Sequence, residues 1–158
     1  SYQWVRIRAY PPNGVMPSIQ AYSQIYQFTS IASNLYNKNM YSNYNAISTT
    51  STTSTTIQSI NFTPSINGLV RVRVVAKVYN NTVGDGVAIQ LMLSGYTYPL
   101  DSDTYTQEGL ADNPHYIVLY NEYTYPIGTQ QTFSIQFNAI NGGTAYCEIQ
   151  EFSVEEVY

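Results

Sequence analysis

The chain has 158 residues, 44% hydrophobic and 15% aromatic, which suits one core burying about two-thirds of the unfolded surface and excludes disorder over most of its length. Only 10% of residues are charged, against about 25% in an average globular domain, and Ser, Thr, Asn, Gln and Tyr take their place. A net charge of −4 and a pI near 4.7 remove the basic field that nucleic-acid binding needs, and no apolar run approaches the ~18–20 residues of a membrane span.

From the N-terminus, Tyr2 to Tyr10 alternates Val5, Ile7 and Ala9 against Trp4, Arg6 and Arg8, and stops at Pro11-Pro12, which predicts a strand. Further strands are predicted over Ile19 to Ile31 and Ile57 to Phe62. Between them lie a Tyr/Asn tract, Asn34 to Asn45, and a Ser/Thr tract, Ser48 to Thr56, expected to be a flexible loop or an extended edge. Leu69 to Tyr79 alternates Val70, Val72, Val74, Ala76 and Val78 against Arg71, Arg73, Val75, Lys77 and Tyr79. A Gly-containing turn, Asn80 to Gly86, and a second alternating run, Val87 to Leu93, complete what reads as an antiparallel hairpin.

Ser94 to Asn113 is polar and contains Gly and Pro, so an exposed loop with one short strand is expected there. His115 to Tyr123 forms a strand between Pro114 and Pro126. Phe133, Ile135, Phe137 and Ala139 then lead through Asn141-Gly142-Gly143 to Ala145, Cys147 and Ile149, a second apparent hairpin. Keeping Phe152 and Val154 on the same face requires a slip near Gln150 or Glu151, the mark of a β-bulge. About eight short strands without a helical pattern imply an all-β antiparallel β-sandwich, a jelly roll, in one domain over residues 1–158.

The charges are sorted along the chain. Arg6, Arg8, Lys38, Arg71, Arg73 and Lys77 precede every Asp and Glu, which run from Asp85 to Glu156. If the first and last strands lie together, Arg6 and Arg8 meet the strand from Glu148 to Glu156, within a subunit or between subunits. Low charge also predicts stability that survives acid, because little of the surface depends on ionisation.

The chemistry-bearing residues are sparse. Cys147 sits on an apolar strand face as a small buried hydrophobe, and one Cys forms no internal disulfide. His115 is the single histidine, no G-x-S-x-G elbow is present, and zinc lacks a ligand set. Glu122, Glu148 and Glu151 read as surface acids of terminal strands before they read as a hydrolytic pair. Asp101 and Asp103, with Glu108 and Asp112 nearby, form the best hard-cation candidate, though their spacing follows no EF-hand. No enzyme activity, cofactor or bound metal is therefore expected. Asn80-Asn81-Thr82 and Asn61-Phe62-Thr63 match the N-x-S/T pattern; Pro64 follows the second, so Asn80 is the better glycosylation candidate.

From Gly68 onward the chain resembles the jelly-roll domains of viral spike, turret and head-fibre proteins, themselves similar in fold to TNF/C1q-like modules. The resemblance is carried by Gly68-Leu69-Val70-Arg71-Val72-Arg73-Val74, by Asn80 to Gly86 with Val87-Ala88-Ile89-Gln90-Leu91, and by Gly128-Thr129-Gln130-Gln131-Thr132-Phe133-Ser134-Ile135. The Tyr/Asn/Thr/Ile-rich style is similar to that of structural proteins of viruses or surface filaments of thermoacidophilic archaea. The resemblance implies a non-enzymatic turret, spike or decoration subunit on a virion surface, or otherwise extracellular. Such a subunit would partner copies of itself and other virion proteins, and would contact host glycans. The interface would use Trp4, Arg6, Arg8, Arg71 and Arg73 against Glu148, Glu155 and Glu156, with Glu151 beside them. Two alternatives follow from the same residues. One is a filament subunit that inserts Ser1 to Tyr10 into the next sheet. The other is a carbohydrate-binding module that stacks sugars on Trp4, Tyr96, Tyr98 or Tyr105.

Overall fold

The alternation of Val70, Val72, Val74, Ala76 and Val78 with charged neighbours is realised as one fully buried row and one half-exposed row on the same strand. The computed structural model describes residues 37–157, and the strands expected over 2–10 and 19–31, with Trp4, Arg6 and Arg8, lie outside them. Eight strands are present among the described residues: β1 (Lys38–Thr49), β2 (Thr55–Phe62), β3 (Leu69–Asn80), β4 (Gly86–Leu93), β5 (Asp101–Thr106), β6 (His115–Thr124), β7 (Gln131–Ile140) and β8 (Ala145–Glu156). They form two four-stranded sheets with orders β1-β8-β3-β6 and β2-β7-β4-β5, and every neighbouring pair is antiparallel. This interleaving of early and late strands is the jelly roll.

The inward rows of both sheets interlock. Phe133, Ile135 and Phe137 of β7 and Ile89 and Leu91 of β4 face Val72 and Val74 of β3 and Phe152 of β8, all essentially without solvent contact. Each large aliphatic or aromatic side chain so buried contributes about 1.5–3 kcal/mol of transfer free energy. The bulge falls where the slip of alternation put it: Val75 pairs Glu151 while Ala76 pairs Ile149, leaving Gln150 as the extra residue.

The two expected hairpins are not hairpins. β3 and β4 lie in opposite sheets, as do β7 and β8, so each Gly-rich turn carries the chain from one sheet to the other. Asn80 fastens the two crossings together. Its Nδ2 donates to the carbonyls of Gly86 (3.0 Å) and Gly142 (3.2 Å), and its Oδ1 accepts from Thr82 N (3.0 Å). The Asn81 backbone N–H donates to Thr144 O at 3.1 Å, and Asn81 Oδ1 accepts from Thr144 N at 2.7 Å. Gly143, at φ +62, lies so close that a Cβ there would stand 2.3 Å from Asn80 Oδ1.

The Tyr/Asn tract forms most of β1, an edge strand with register shifts at Tyr41/Asn43 and Asn43/Ile47. It carries little apolar alternation because only Tyr41 and Ile47 pack on the core. The Ser/Thr tract divides among the end of β1, a turn and the start of β2. In the turn, Ser51 Oγ donates to Thr53 O and Ser51 O accepts from Ala139 N.

Candidate functional site

The outer face of the β1-β8-β3-β6 sheet gathers every basic residue among the described ones. Lys38 meets Glu155 (3.4 Å), Arg71 meets Glu122 (3.1 Å) and Glu155 (3.5 Å), Arg73 meets Glu151, and Lys77 meets Glu148 (2.9 Å). The register explains the partners: Arg71 is opposite Glu155 on one side and Glu122 on the other, and Lys77 is opposite Glu148. Tyr120 adds its hydroxyl, donating to Glu122 Oε2 at 2.7 Å and accepting from Arg71 Nε at 3.2 Å. The Tyr120 bond first, then Arg71, holds Glu122 below the usual carboxylate range. The bond from Glu148 raises Lys77 above the ordinary lysine value. Arg71, Arg73, Glu148 and Glu155 are thus brought together by β3 and its neighbours, each with a partner inside the chain.

Glu156 points the other way. Its side chain is buried, with Oε1 accepting from the backbone N–H groups of Ile66 (2.8 Å), Asn67 (2.8 Å) and Gly68 (2.9 Å), and Oε2 accepting from Ser65 N at 2.8 Å. Burial alone would raise this carboxyl, but the backbone donors from Ser65, Gly68, Ile66 and Asn67 together bring it down to about 2. It closes the β2–β3 loop onto the end of β8 and is not available to a partner subunit.

Beside the charge ladder runs a row of large side chains: Tyr116, Val118 and Tyr120 of β6, exposed by 60%, 54% and 47%. They stand opposite Lys77, Val75 and Arg73 of β3, so Val118 and Val75 make an apolar centre flanked by tyrosines and paired ions. This row is absent from the sequence expectation. A signal existed: residues 116–120 are apolar or aromatic on both faces, the pattern of a strand covered on both sides.

The remaining candidates separate. Asp101 Oδ2 accepts from Tyr120 N at 2.8 Å, capping the open edge of β6, and Asp103 Oδ1 accepts from Thr104 N at 2.7 Å. No group of three or more His, Cys, Asp or Glu among the described residues is placed to hold a metal. Asn80, buried with its amide nitrogen bound to two carbonyls, offers no accessible nitrogen for a glycan, whereas Asn61 is exposed on β2. Cys147 is buried and its thiol is pushed up to about 12 by burial. His115 and Cys147 flank Val78 from opposite sides of β3, and the imidazole stacks on Tyr105 at 4.6 Å. A protonated thiol two strands away from a stacked imidazole makes no nucleophilic pair. No helix among the described residues is long and apolar enough to cross a membrane.

Two concavities lie on the surface of the described residues. A shallow depression of about 450 Å³ lies over Lys77, Tyr79, Asp112, Pro114 and Tyr146, where the Tyr79 and Tyr146 rings stack at 4.7 Å. A cleft of about 260 Å³ opens at the end of the sandwich between the β4–β5 connection and β6, lined by Leu93, Tyr96, Leu100, Asn121, Tyr123 and Tyr125. Of the loop tyrosines expected to face sugars, Tyr96 lines this cleft, Tyr98 is 81% exposed, and Tyr105 stacks on His115.

No protein-family model matches the chain, and no curated protein matches it in sequence. Solved structures do match it. A structure of the infectious bursal disease virus Gx strain is similar over 77% of this chain and 32% of that one, at a TM-score of 0.53 and 8% identity. The VP2 subviral particle of the same virus gives 76%, 32%, 0.53 and 9%. An Eiger TNF from S. frugiperda is similar over 78% of this chain and 93% of that one, at a TM-score of 0.48 and 5% identity. The chain spans about a third of the length of the viral chains it matches. At these identities the likeness is one of fold: an eight-stranded antiparallel sandwich shared with virus proteins.

Proposed function

We propose that this chain is a non-enzymatic structural subunit of a virion surface, a turret, spike or decoration protein, which associates with copies of itself through the outer face of β6. The observation that carries the self-association is the row Tyr116, Val118 and Tyr120, exposed beside Val75 on a sheet whose charges are already paired. Tyrosine and aliphatic side chains surrounded by neutralised polar groups are what a protein interface desolvates at least cost. A stable interface buries about 800 Å² per partner, so the row would be the centre of a contact reaching the stems of Lys77 and Arg73. The virion setting is supported by the jelly roll shared with a protein that forms a subviral particle. No apposed nucleophile, base or metal-ligand cluster among the described residues argues for catalysis.

Analytical ultracentrifugation of the purified chain tests this. The wild type should sediment as a discrete oligomer, and Val118→Lys should give monomer with an unchanged melting temperature. Because the charges pair within the chain, association should persist from about 0.05 to about 0.5 M salt. A wild type that stays monomeric at high concentration overturns the reading, and helical polymers under the electron microscope would favour the filament alternative.

A further inference from the structure

We infer that the cleft at the β4–β5 end of the sandwich binds a neutral pyranose ring of a glycan. The argument begins with strand phase. On β6 the inward row runs Ile117, Leu119, Asn121, Tyr123; the first two are buried in the core, but Tyr123 is 63% exposed. There Leu93 of one sheet and Asn121 and Tyr123 of the other line an open cleft, so side chains with a core phase face it instead of the core. Tyr96 enters from the β4–β5 connection, itself 61% exposed, held by a turn in which its N–H donates to Leu93 O at 3.1 Å.

The aromatic wall is fixed before any ligand arrives. Tyr123 meets the buried Tyr125 edge-on at 5.5 Å and 68°, and Tyr125 meets Phe133 of the core at 5.5 Å and 84°. The Tyr125 N–H donates to Gly68 O at 2.8 Å, anchoring this chain of rings to the start of β3. Rings held by the core lose little freedom when a ligand stacks on them. Asn121 accepts the Tyr125 hydroxyl through Oδ1 at 3.5 Å, and its Nδ2 donates to no described residue.

The lining chooses the ligand class. It holds no Lys, Arg, Asp or Glu, and the chain carries a net charge of −4, so anionic groups gain no partner and meet an unfavourable field. A purely apolar ligand would cover the Asn121 Nδ2 and the hydroxyls of Tyr96 and Tyr123 without offering them partners. A neutral sugar satisfies both demands. Its C–H face stacks on tyrosine, its hydroxyls bond the amide and phenols, and about 260 Å³ accommodates one ring with the rest of the glycan leaving through the mouth. This inference goes beyond the assembly reading and uses none of the β6 outer row.

Saturation-transfer-difference NMR and calorimetry on the full chain with cellohexaose, xylohexaose, mannohexaose and N-acetylchitohexaose test it, with sialyllactose as the anionic comparison. At least one neutral oligosaccharide should bind saturably. Tyr123→Ala should weaken it about tenfold, Tyr96→Ala should weaken it too, and Tyr123→Phe should retain most of it. Tyr79→Ala, in the separate depression, should leave binding unchanged. Melting temperatures of the exposed-residue variants verify that the fold is intact. No binding of any neutral oligosaccharide at millimolar concentration, equal binding by wild type and Tyr123→Ala, or preference for sialyllactose overturns the inference. The Val118→Lys monomer should bind as the wild type does, so failure here and failure of self-association are distinguishable.

Discussion

Glu156→Gln should be among the most damaging single-atom-scale changes in this domain, and its cost should depend on pH. Glu156 is 1% exposed and receives four backbone N–H groups from residues 65–68. Its carboxyl titrates near 2 in the fold, against 4.5 as its ordinary value. Each unit of pKa difference corresponds to about 1.4 kcal/mol, so the ionised carboxylate contributes about 3 kcal/mol. Because the folded value is depressed, that contribution is complete above about pH 4.5 and drains away as pH falls through the folded value near 2. Glutamine removes it at every pH and turns one oxygen into a donor that opposes the backbone N–H groups.

Urea unfolding followed by circular dichroism at several pH values checks this. At pH 7 the variant should be less stable by about 3 kcal/mol, roughly a 10 °C loss of Tm for a domain of this size. Near pH 2 the two proteins should converge, because a protonated carboxyl, like a primary amide, keeps one carbonyl acceptor and sets a donor where the second carboxylate oxygen accepted. The wild type should hold its stability down to about pH 4.5, since Glu122 too is held below its ordinary value. A difference that is the same at pH 2 and pH 7, or smaller than about 1 kcal/mol at neutrality, would refute the assignment of Glu156 as an ionised anchor.

Charge placed on the two faces of the sandwich should separate cleanly. Val72→Asp buries an unpaired carboxylate in the core and should cost about 4 kcal/mol or more, whereas Gln90→Asp, on the outward face of β4 between Ser102 and Gln136, should be tolerated in the same melt. Arg73→Glu should lower stability by no more than about 1 kcal/mol, because the pair with Glu151 is solvent-accessible, and adding Glu151→Arg should restore it in a double-mutant cycle.

Much of the local structure was legible in the chain. A period of two assigned the inward and outward residues of β3, β4 and β7, and one broken alternation placed a bulge near Gln150 or Glu151, where the register puts it at Gln150. Pairing was not legible at the two turns. A Gly-rich turn reverses the chain equally well within a sheet or between sheets, and the alternation of the flanking strands is the same in both cases. What differs is the rotation about the strand axis, fixed here by long-range bonds such as those from Asn80 to Gly86 and Gly142. The sandwich edge hid β1, whose exposed Asn and Tyr residues pack too little apolar surface to leave a pattern. The end of the sandwich hid the cleft, because Tyr123 occupies a core phase without a core beneath it. Glu156 looked like a surface acid since nothing local announces four backbone donors that precede it by about ninety residues.

The sorted charges find their reason in the strand order. In the sheet β1-β8-β3-β6 each contact joins a strand from the earlier half of the chain to one from the later half. Lys and Arg lie on β1 and β3, and β6 and β8 carry Glu without any Lys or Arg. Correct neighbours therefore always present opposite charges, as the pairs of Lys38, Arg71, Arg73 and Lys77 demonstrate. The wrong neighbours, β1 beside β3 or β6 beside β8, would set like charges against each other. The other sheet, β2-β7-β4-β5, has no charge except Asp101 and Asp103 on its edge, so there polar side chains and apolar packing must choose partners. Each pair alone is worth little. Its larger effect lies in the difference between right and wrong pairing, to which attraction and repulsion both contribute. A jelly roll needs that discrimination more than a meander does, because its sheet neighbours are distant in sequence and no short turn selects them.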